Sequence, residues 1–264
     1  MKLMTLNIWG GRVGREIVLN FLKQQASEID LFCFQEVYSA SEHSDFKDDL
    51  EKDPRYPKGA VTDFYGHLKQ ALPQFEGMHS ESFLVDDYKI PAPFGLAMFV
   101  KKGLSVIERG THEIFKLDEE PYLGLSDGVR LWNRLLQYVT LPYQNSSLTV
   151  FNLHGLYTGG GKDDEPGRLQ QSLRIREFFT QHPGEKILCG DFNLNPHTES
   201  MKLLENGMKN LIKDFGVTST RSHYYPKQSK FADYILLTPN IEVKKFEVMQ
   251  EPVSDHLPLY LDFV

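Results

Sequence analysis

Leu188-Cys189-Gly190-Asp191-Phe192-Asn193-Leu194-Asn195-Pro196 is an apolar run that ends abruptly in an acid and an amide. Residues 186–189 read as a buried strand. A carboxylate at such an end is costly unless it is solvated, paired or metal-bound. The same ending recurs along the chain. Residues 3–6 run into Asn7, 31–34 into Gln35-Glu36, and 148–153 into His154. The run 234–237 follows Asp233, and 257–263 follows Ser254-Asp255-His256. If these strands share a sheet system their ends converge, and that is where α/β folds place ligands.

The segments between them fit the same architecture. Residues 94–100 read as a further strand. Residues 14–25 form a helix with Ile17, Val18, Phe21 and Leu22 on one face, and 168–181 a helix with Leu169, Leu173, Ile175 and Phe179 on a broad arc. A third helix starts at Thr198 as N-cap and stops before Gly207. Residues 38–60, 110–128 and 156–167 read as long surface excursions, and 129–141 satisfies helical and strand periodicity alike. No linker or repeat divides the sequence, so residues 1–264 read as one domain.

Composition excludes several classes. There are 29 Lys+Arg against 36 Asp+Glu, a formal net charge of −7. No apolar run approaches the roughly 18 residues of a membrane span, and the start turns polar at Asn7, too early for a signal peptide. Cys33 and Cys189 each lie in an apolar run and read as buried free thiols. The expectation is a cytoplasmic monomer without a membrane anchor. Its acidity argues against a long nucleic-acid track, since such tracks work by neutralising phosphates with basic surface. A polyanion would have to be engaged through a compact site.

TLNIWG (5–10), FQEVY (34–38), FNLHGLY (151–157), LCGDFNLNP (188–196), FADYILL (231–237) and VSDHLPL (253–259), in that order, resemble the endonuclease/exonuclease/phosphatase, or DNase I-like, superfamily. The resemblance implies a four-layer α/β/β/α sandwich, two packed mixed sheets flanked by helices, with a divalent-metal site between the sheets. On that resemblance Asn7, Glu36 and Asp255 hold the metal, Mg²⁺ or alternatively Mn²⁺. Asp191 aligns or deprotonates the attacking water, and Asn193 orients Asp191 and the phosphoryl oxygens. His256 is the catalytic histidine, Asp233 holds its ring, and His154 is a second histidine. Glu81 is a candidate partner for His154. The implied activity is hydrolysis of a phosphodiester of nucleic-acid (DNA or RNA), phosphotyrosyl-DNA or phospholipid type.

The chemistry of these side chains agrees. Phosphodiester hydrolysis needs an oriented water, relief of charge on the non-bridging oxygens and help for the leaving oxygen. One or two carboxylates suffice to hold Mg²⁺ with its waters, and amide and imidazole donors stabilise developing charge. Gly159-Gly160-Gly161-Lys162 fails as a phosphate loop, because Leu156 and Asp163 stand where Gly and Ser/Thr are needed. It reads as a mobile loop bordering the site. Gly124-Leu125-Ser126-Asp127-Gly128 matches a nucleophile elbow, giving an alternative reading as a serine hydrolase of the α/β-hydrolase type using Ser126. The acidic, Pro-containing stretch before it does not supply the buried strand an elbow needs.

Overall fold

Two strand–helix–strand crossovers organise the chain. In the first, β1 (Lys2–Asn7) passes through α1 (Arg15–Gln25) to β2 (Leu31–Tyr38). In the second, β7 (Ser146–His154) passes through α3 (Pro166–Phe179) to β8 (Glu185–Asp191). A parallel pair cannot be joined by a tight turn, so each connection carries a helix over one sheet face. β1 pairs parallel with β2, and β7 with β8. The computed structural model describes residues 1–39, 58–82, 94–116, 133–159 and 161–264.

Antiparallel strands extend each pair into a six-stranded mixed sheet. The first sheet adds β3 (Phe75–Ser82), β4 (Phe94–Lys101), β11 (Val243–Val248) and β12 (Leu259–Phe263), in the order β11-β12-β1-β2-β4-β3. The second adds β5 (Glu108–Phe115), β6 (Arg134–Tyr143), β9 (Lys209–Asn210) and β10 (Asp233–Leu237), in the order β5-β6-β7-β8-β10-β9.

Strand alternation builds the layers. Met4, Leu6, Phe32 and Phe34 turn outward under α1 and α2 (Phe64–Ala71), meeting Val18, Leu22, Phe64 and Leu68. Leu3, Leu31 and Cys33 turn the other way and join the core that includes Leu153 and Cys189. The far face of the second sheet is covered by α3 and by α4 (Glu199–Glu205), through Ile175, Phe178, Phe179, Met201 and Leu204. The result is helix, sheet, sheet, helix. Cys33 and Cys189 are free and fully buried, and burial together with their mutual contact pushes the Cys33 thiol well up.

At the upper end of the inter-sheet core the packing changes from apolar to amide. Gln35 Nε2 donates to Thr5 Oγ1 (3.1 Å) and Asn152 Oδ1 (2.6 Å). Asn152 Nδ2 donates to Phe34 O (3.1 Å) and Gln137 Oε1 (3.2 Å), and Gln137 Nε2 to Ser80 Oγ (2.8 Å). Gln35, Gln137 and Asn152 are fully buried. This chain of bonds spans both sheets one layer below the strand ends.

Several expectations are corrected. Residues 108–115 are strand β5, because their backbone pairs antiparallel with β6, and 117–132 lie outside the described residues. Ser126 and its glycines fall there, as do 40–57 of the first excursion. Of 129–141, residues 134–141 are strand, and 129–132 lie outside the described residues. Ile17 and Leu173 are exposed rather than core-facing. In their helices the buried positions are Val18, Leu19, Phe21 and Leu22, and Arg168, Gln171, Ser172, Ile175, Phe178 and Phe179.

The polar part of the α3 face has a purpose in packing. Arg168 donates to Leu156 O (3.2 Å), Gly161 O (2.7 Å) and Asp163 O, and Gln171 Oε1 accepts from Leu156 N (2.9 Å). Buried donors matched to loop carbonyls satisfy backbone groups that water cannot reach. The stretch expected to be a mobile loop is therefore bonded along its length to α3.

Candidate functional site

The carboxyl ends of the four parallel strands deliver Asn7, Glu36, His154 and Asp191 to one place. Pairing register fixes the second sheet's row: His154 lies opposite Asp191, and Asp191 opposite Asp233. Gly190 makes the β7–β8 approach feasible. Its φ is 129°, and a Cβ there would meet Leu153 O at 2.1 Å. In the first sheet a bulge between Phe34 and Val37 turns Glu36, with φ 58°, out of the ladder.

Trp9, Glu36 and Asn193 are three of the four described non-glycine residues with positive φ, and all three line the same cavity. Such backbone costs about 1–3 kcal/mol per residue and collects at functional sites. The cavity has a volume of about 440 Å³.

Asn7 joins the two sheets. Its Nδ2 donates to Glu36 Oε1 and to Asp191 Oδ2, both at 3.0 Å, while its Oδ1 accepts from Trp9 N (2.9 Å). The other oxygen of Asp191 accepts from Asn193 N (2.9 Å), and Asn193 Nδ2 donates to Gly155 O (3.2 Å). His256 Nδ1 sits 2.8 and 2.9 Å from the two oxygens of Asp233, which Thr220 Oγ1 also approaches at 2.9 Å. The opposite nitrogen, Nε2, lies 3.6 Å from Asp191 and 3.8 Å from Asp255. His154 Nε2 lies 3.9 Å from both Glu36 and Asp191. Those are its nearest carboxylates; Glu81 sits on β3 opposite Gly95.

Charge states follow from burial and neighbours. Burial opposes the charge on Asp191, but His256, Lys162, His154 and Arg221 outweigh it and hold the carboxyl well below the usual range. Burial and Arg221 oppose protonation of His256, yet Asp233, Asp191 and Asp255 together raise its pKa. Burial, reinforced by Arg134, pushes His154 down to about 3, so this ring is neutral. Burial and the nearby Asp255 push Glu36 up, despite the bond from Asn7. Glu36 is thus a buried carboxylate with an acid beside it, a setting that a cation would relieve.

The donor set suits such an ion. Glu36, His154 and Asp191 each offer one ligand atom, all within 4.8 Å of one another, as do Asp191, Asp233 and His256. Asp255 instead pairs with Arg221 Nη1 at 3.2 Å. All eight residues singled out in the sequence are thus brought to one cluster. The sequence did not single out Arg134, Arg221, Trp9, Arg12, Tyr157, Tyr225 or Lys227, which also line the cavity, and Lys162 was seen only as part of a rejected motif. Trp9 and Tyr157 stand inside quoted motifs, whereas Arg134 opens β6 and Arg221 lies in a loop, both outside every motif and without a sequence signal of their own.

The comparisons point one way. The family profile described as the Endonuclease/Exonuclease/phosphatase family matches residues 4–256. No curated protein matches. Among solved structures, an endonuclease/exonuclease/phosphatase from Bacteroides vulgatus aligns with TM-score 0.66 and 18% identity, covering 100% of this chain and 98% of its own. The Bacteroides thetaiotaomicron mannosyl-6-phosphatase gives 0.68 and 17%, covering 100% and 99%. The human Nocturnin catalytic domain, with bound sulfate, gives 0.64 and 18%, covering 100% and 93%. With the family's motifs spread over both sheets and its profile spanning nearly the whole sequence, the chain belongs to the endonuclease/exonuclease/phosphatase family, whose members are phosphoesterases and nucleases.

Proposed function

We propose that this chain is a divalent-metal-dependent phosphohydrolase that cleaves a phosphodiester by in-line attack of water. The observation that carries the reading is the His256 ring, gripped on Nδ1 by Asp233 and presenting Nε2 3.6 Å from the buried Asp191. That arrangement puts a ring able to exchange a proton and an ionised carboxylate at one point.

Glu36, His154 and Asp191 offer the clustered donor atoms that would hold the cation, Mg²⁺ or Mn²⁺; Asp255, a ligand on the resemblance, is engaged by Arg221, and Asn7 turns its Nδ2 rather than its Oδ1 toward Glu36. When bound, the ion supplies Lewis-acid relief of phosphoryl charge. The remaining work falls to the chain. Asp191, fixed through both oxygens, orients the attacking water, and Asn193 donates toward the phosphoryl oxygens. Asp233 fixes the His256 ring through Nδ1 and, with Asp191 and Asp255, raises its pKa, so the ring can exchange a proton at Nε2, where Arg221 Nη1 also approaches and can donate to developing negative charge. Neutral His154 supplies a second donor. The sulfate held by the human Nocturnin domain and the phosphatase name of the Bacteroides relative support phosphoester chemistry.

Hydrolysis of bis(p-nitrophenyl) phosphate by the full chain, with and without a chelator, tests this reading. Activity should depend on the added ion and fall by about 10³-fold or more in Asp191→Asn. Turnover unchanged by chelation, or equal in that variant, would overturn it.

A further inference from the structure

His154, Asp191 and Asp233 stand in a row across β7, β8 and β10, so Asp191 is flanked by the loop that leaves β7 and the loop that enters β10. The chain beyond β8 runs between those two loops. On one side Gly155 N donates to Asp191 O (2.7 Å) and Asn195 N to Lys162 O (2.8 Å); on the other Phe192 N donates to Ala232 O (2.7 Å). The flanking loops therefore face each other across Asp191 and Asn193.

They are joined twice. The inner tie is Lys162 Nζ donating to Phe231 O at 2.9 Å, and Lys162 is 4% exposed. The outer tie is Lys227 Nζ donating to Tyr157 Oη at 2.8 Å, between an exposed lysine and a half-buried tyrosine. The Lys227 ammonium also lies 5.4 Å from the centroid of the Tyr157 ring. Both residues line the cavity, as do Tyr225 and Pro226 beside them.

The two ties differ in how readily they open. A buried bond has no water to replace it, whereas a bond near the surface competes with water and contributes little net free energy. The two loops are also held unequally. Tyr225 N bonds Ser222 O (3.2 Å) and Thr220 N bonds Lys230 O (2.8 Å), which fixes both shoulders of the second loop. Between those shoulders, Lys227 Nζ to Tyr157 Oη is the one hydrogen bond made by residues 226–228 among the described residues. Tyr157, by contrast, follows Leu156, whose N and O are bonded to Gln171 and Arg168 of α3. The contact is a loop tip resting on a fixed post.

We infer that the Tyr157–Lys227 contact is a latch across the β8 side of the cavity, and that it sets the size of the ester group the site accepts beside the reacting phosphate. The selection rests on the phosphohydrolase reading; the latch stands on the loop geometry alone. With the latch closed, a diester fits if its second ester group is small. A bulky group needs the 226–228 tip lifted, which breaks the bond. Tyr157 and Lys227 are then specificity-determining residues, outside both the donor cluster of Glu36, His154 and Asp191 and the Asp233–His256 pair.

Two measurements on the full chain test this. The first needs no substrate. Acetylation of Lys227 by acetic anhydride, read by mass spectrometry with the exposed Lys230 as internal standard, should be about 3–10-fold faster in Tyr157→Phe, which keeps the ring and removes the acceptor. The second compares kcat/KM for thymidine 5′-p-nitrophenyl phosphate with that for methyl p-nitrophenyl phosphate, with Mn²⁺ added. The two esters share a leaving group and a single negative charge, so a change in their ratio between variants reports fit rather than chemistry. The ratio should rise about 3-fold in Tyr157→Phe and about 10-fold or more in Lys227→Ala, which removes the strap itself. Equal labelling of Lys227 in wild type and Tyr157→Phe would overturn the latch, and an unchanged ratio in Lys227→Ala would overturn its part in selection. A chain that hydrolyses neither ester overturns the phosphohydrolase reading, and the selection with it, while the labelling still decides the latch.

Discussion

His256 Nδ1 is held by both oxygens of Asp233, at 2.8 and 2.9 Å, across the 23 residues that separate them in sequence. Asp233 begins β10 of the second sheet, and His256 lies in the loop joining β11 to β12 of the first, so the pair ties the two sheets together at the reacting end. Asp233→Asn keeps the shape but exchanges the acceptor for a mixed donor–acceptor and removes the charge favouring a protonated ring. A fall in kcat of about 10²–10⁴-fold is expected, with KM changing less. Steady-state kinetics alongside circular dichroism checks this; wild-type kcat in a folded Asp233→Asn would contradict the pairing's role.

Glu36 is the acid that burial and Asp255 leave most in need of a cation. Glu36→Gln removes a ligand charge while keeping an oxygen in place. The metal concentration giving half-maximal activity should rise by about 10-fold or more, and direct calorimetric binding of Mn²⁺ should weaken in step. Unaltered metal binding would exclude Glu36 as a ligand.

Arg168 is 1% exposed and bonds the carbonyls of Leu156, Gly161 and Asp163. Arg168→Met leaves those carbonyls buried without donors. The expected cost is about 2–4 kcal/mol, or a drop of about 5–15 °C in Tm for a chain of this size. Denaturant or thermal unfolding reads it, and a shift under about 2 °C would show that the loop is held by other means.

Asn152 sits at the centre of the buried amide chain, accepting from Gln35 and donating to Phe34 O and Gln137. Asn152→Leu keeps the branched shape but removes an acceptor from Gln35 Nε2 and the donors to Gln137 Oε1 and Phe34 O. It should destabilise by about 2–4 kcal/mol. Replacing Gln35, Gln137 and Asn152 together with apolar residues should cost less than the single change. Additive losses in urea titrations would argue that the three do not act as a network.

His182 is enclosed by Tyr138, Phe151 and Phe178, with ring centroids 4.6–5.4 Å away, and its Nε2 has no partner among the described residues. Burial lowers its pKa below the ordinary 6.5. The unfolded chain therefore takes up the proton first, and the stability His182 lends when neutral is lost as pH falls below that value. Between about pH 7.5 and 5.5 the drop in Tm should be smaller in His182→Phe than in wild type. Equal drops would place the acid sensitivity elsewhere.

The strand ends were legible because each combines two signals, an apolar run and an abrupt polar stop, that seldom coincide by chance. Asn7, Glu36, His154, Asp191 and Asp233 all sit on that pattern, and the structure gathers them with Asn193, Asp255 and His256. Thr198 was readable for a similar reason: its Oγ1 accepts from Met201 N, a local bond whose partners are three residues apart. What could not be read depends on tertiary partners. The α3 face read as the arc of Leu169, Leu173, Ile175 and Phe179, whereas Arg168 and Gln171 are also buried because they pack against loop backbone rather than apolar side chains. β5 is charged or polar until Ile114-Phe115, and its seven positions paired with β6 make it a strand. Arg134 and Arg221 lie far from the motifs in sequence and reach the site through sheet packing and a loop, neither of which has local periodicity.

Asn7 touches Glu36 within its own sheet and Asp191 in the other, each at 3.0 Å. Neither half of the molecule therefore owns a working centre. Loosening of the contact between the sheets by an ångström would break one of these bonds while every strand ladder stayed intact. Enzymatic competence is thus a strain gauge for the seam: under rising denaturant, turnover should disappear before backbone circular dichroism registers any loss of sheet.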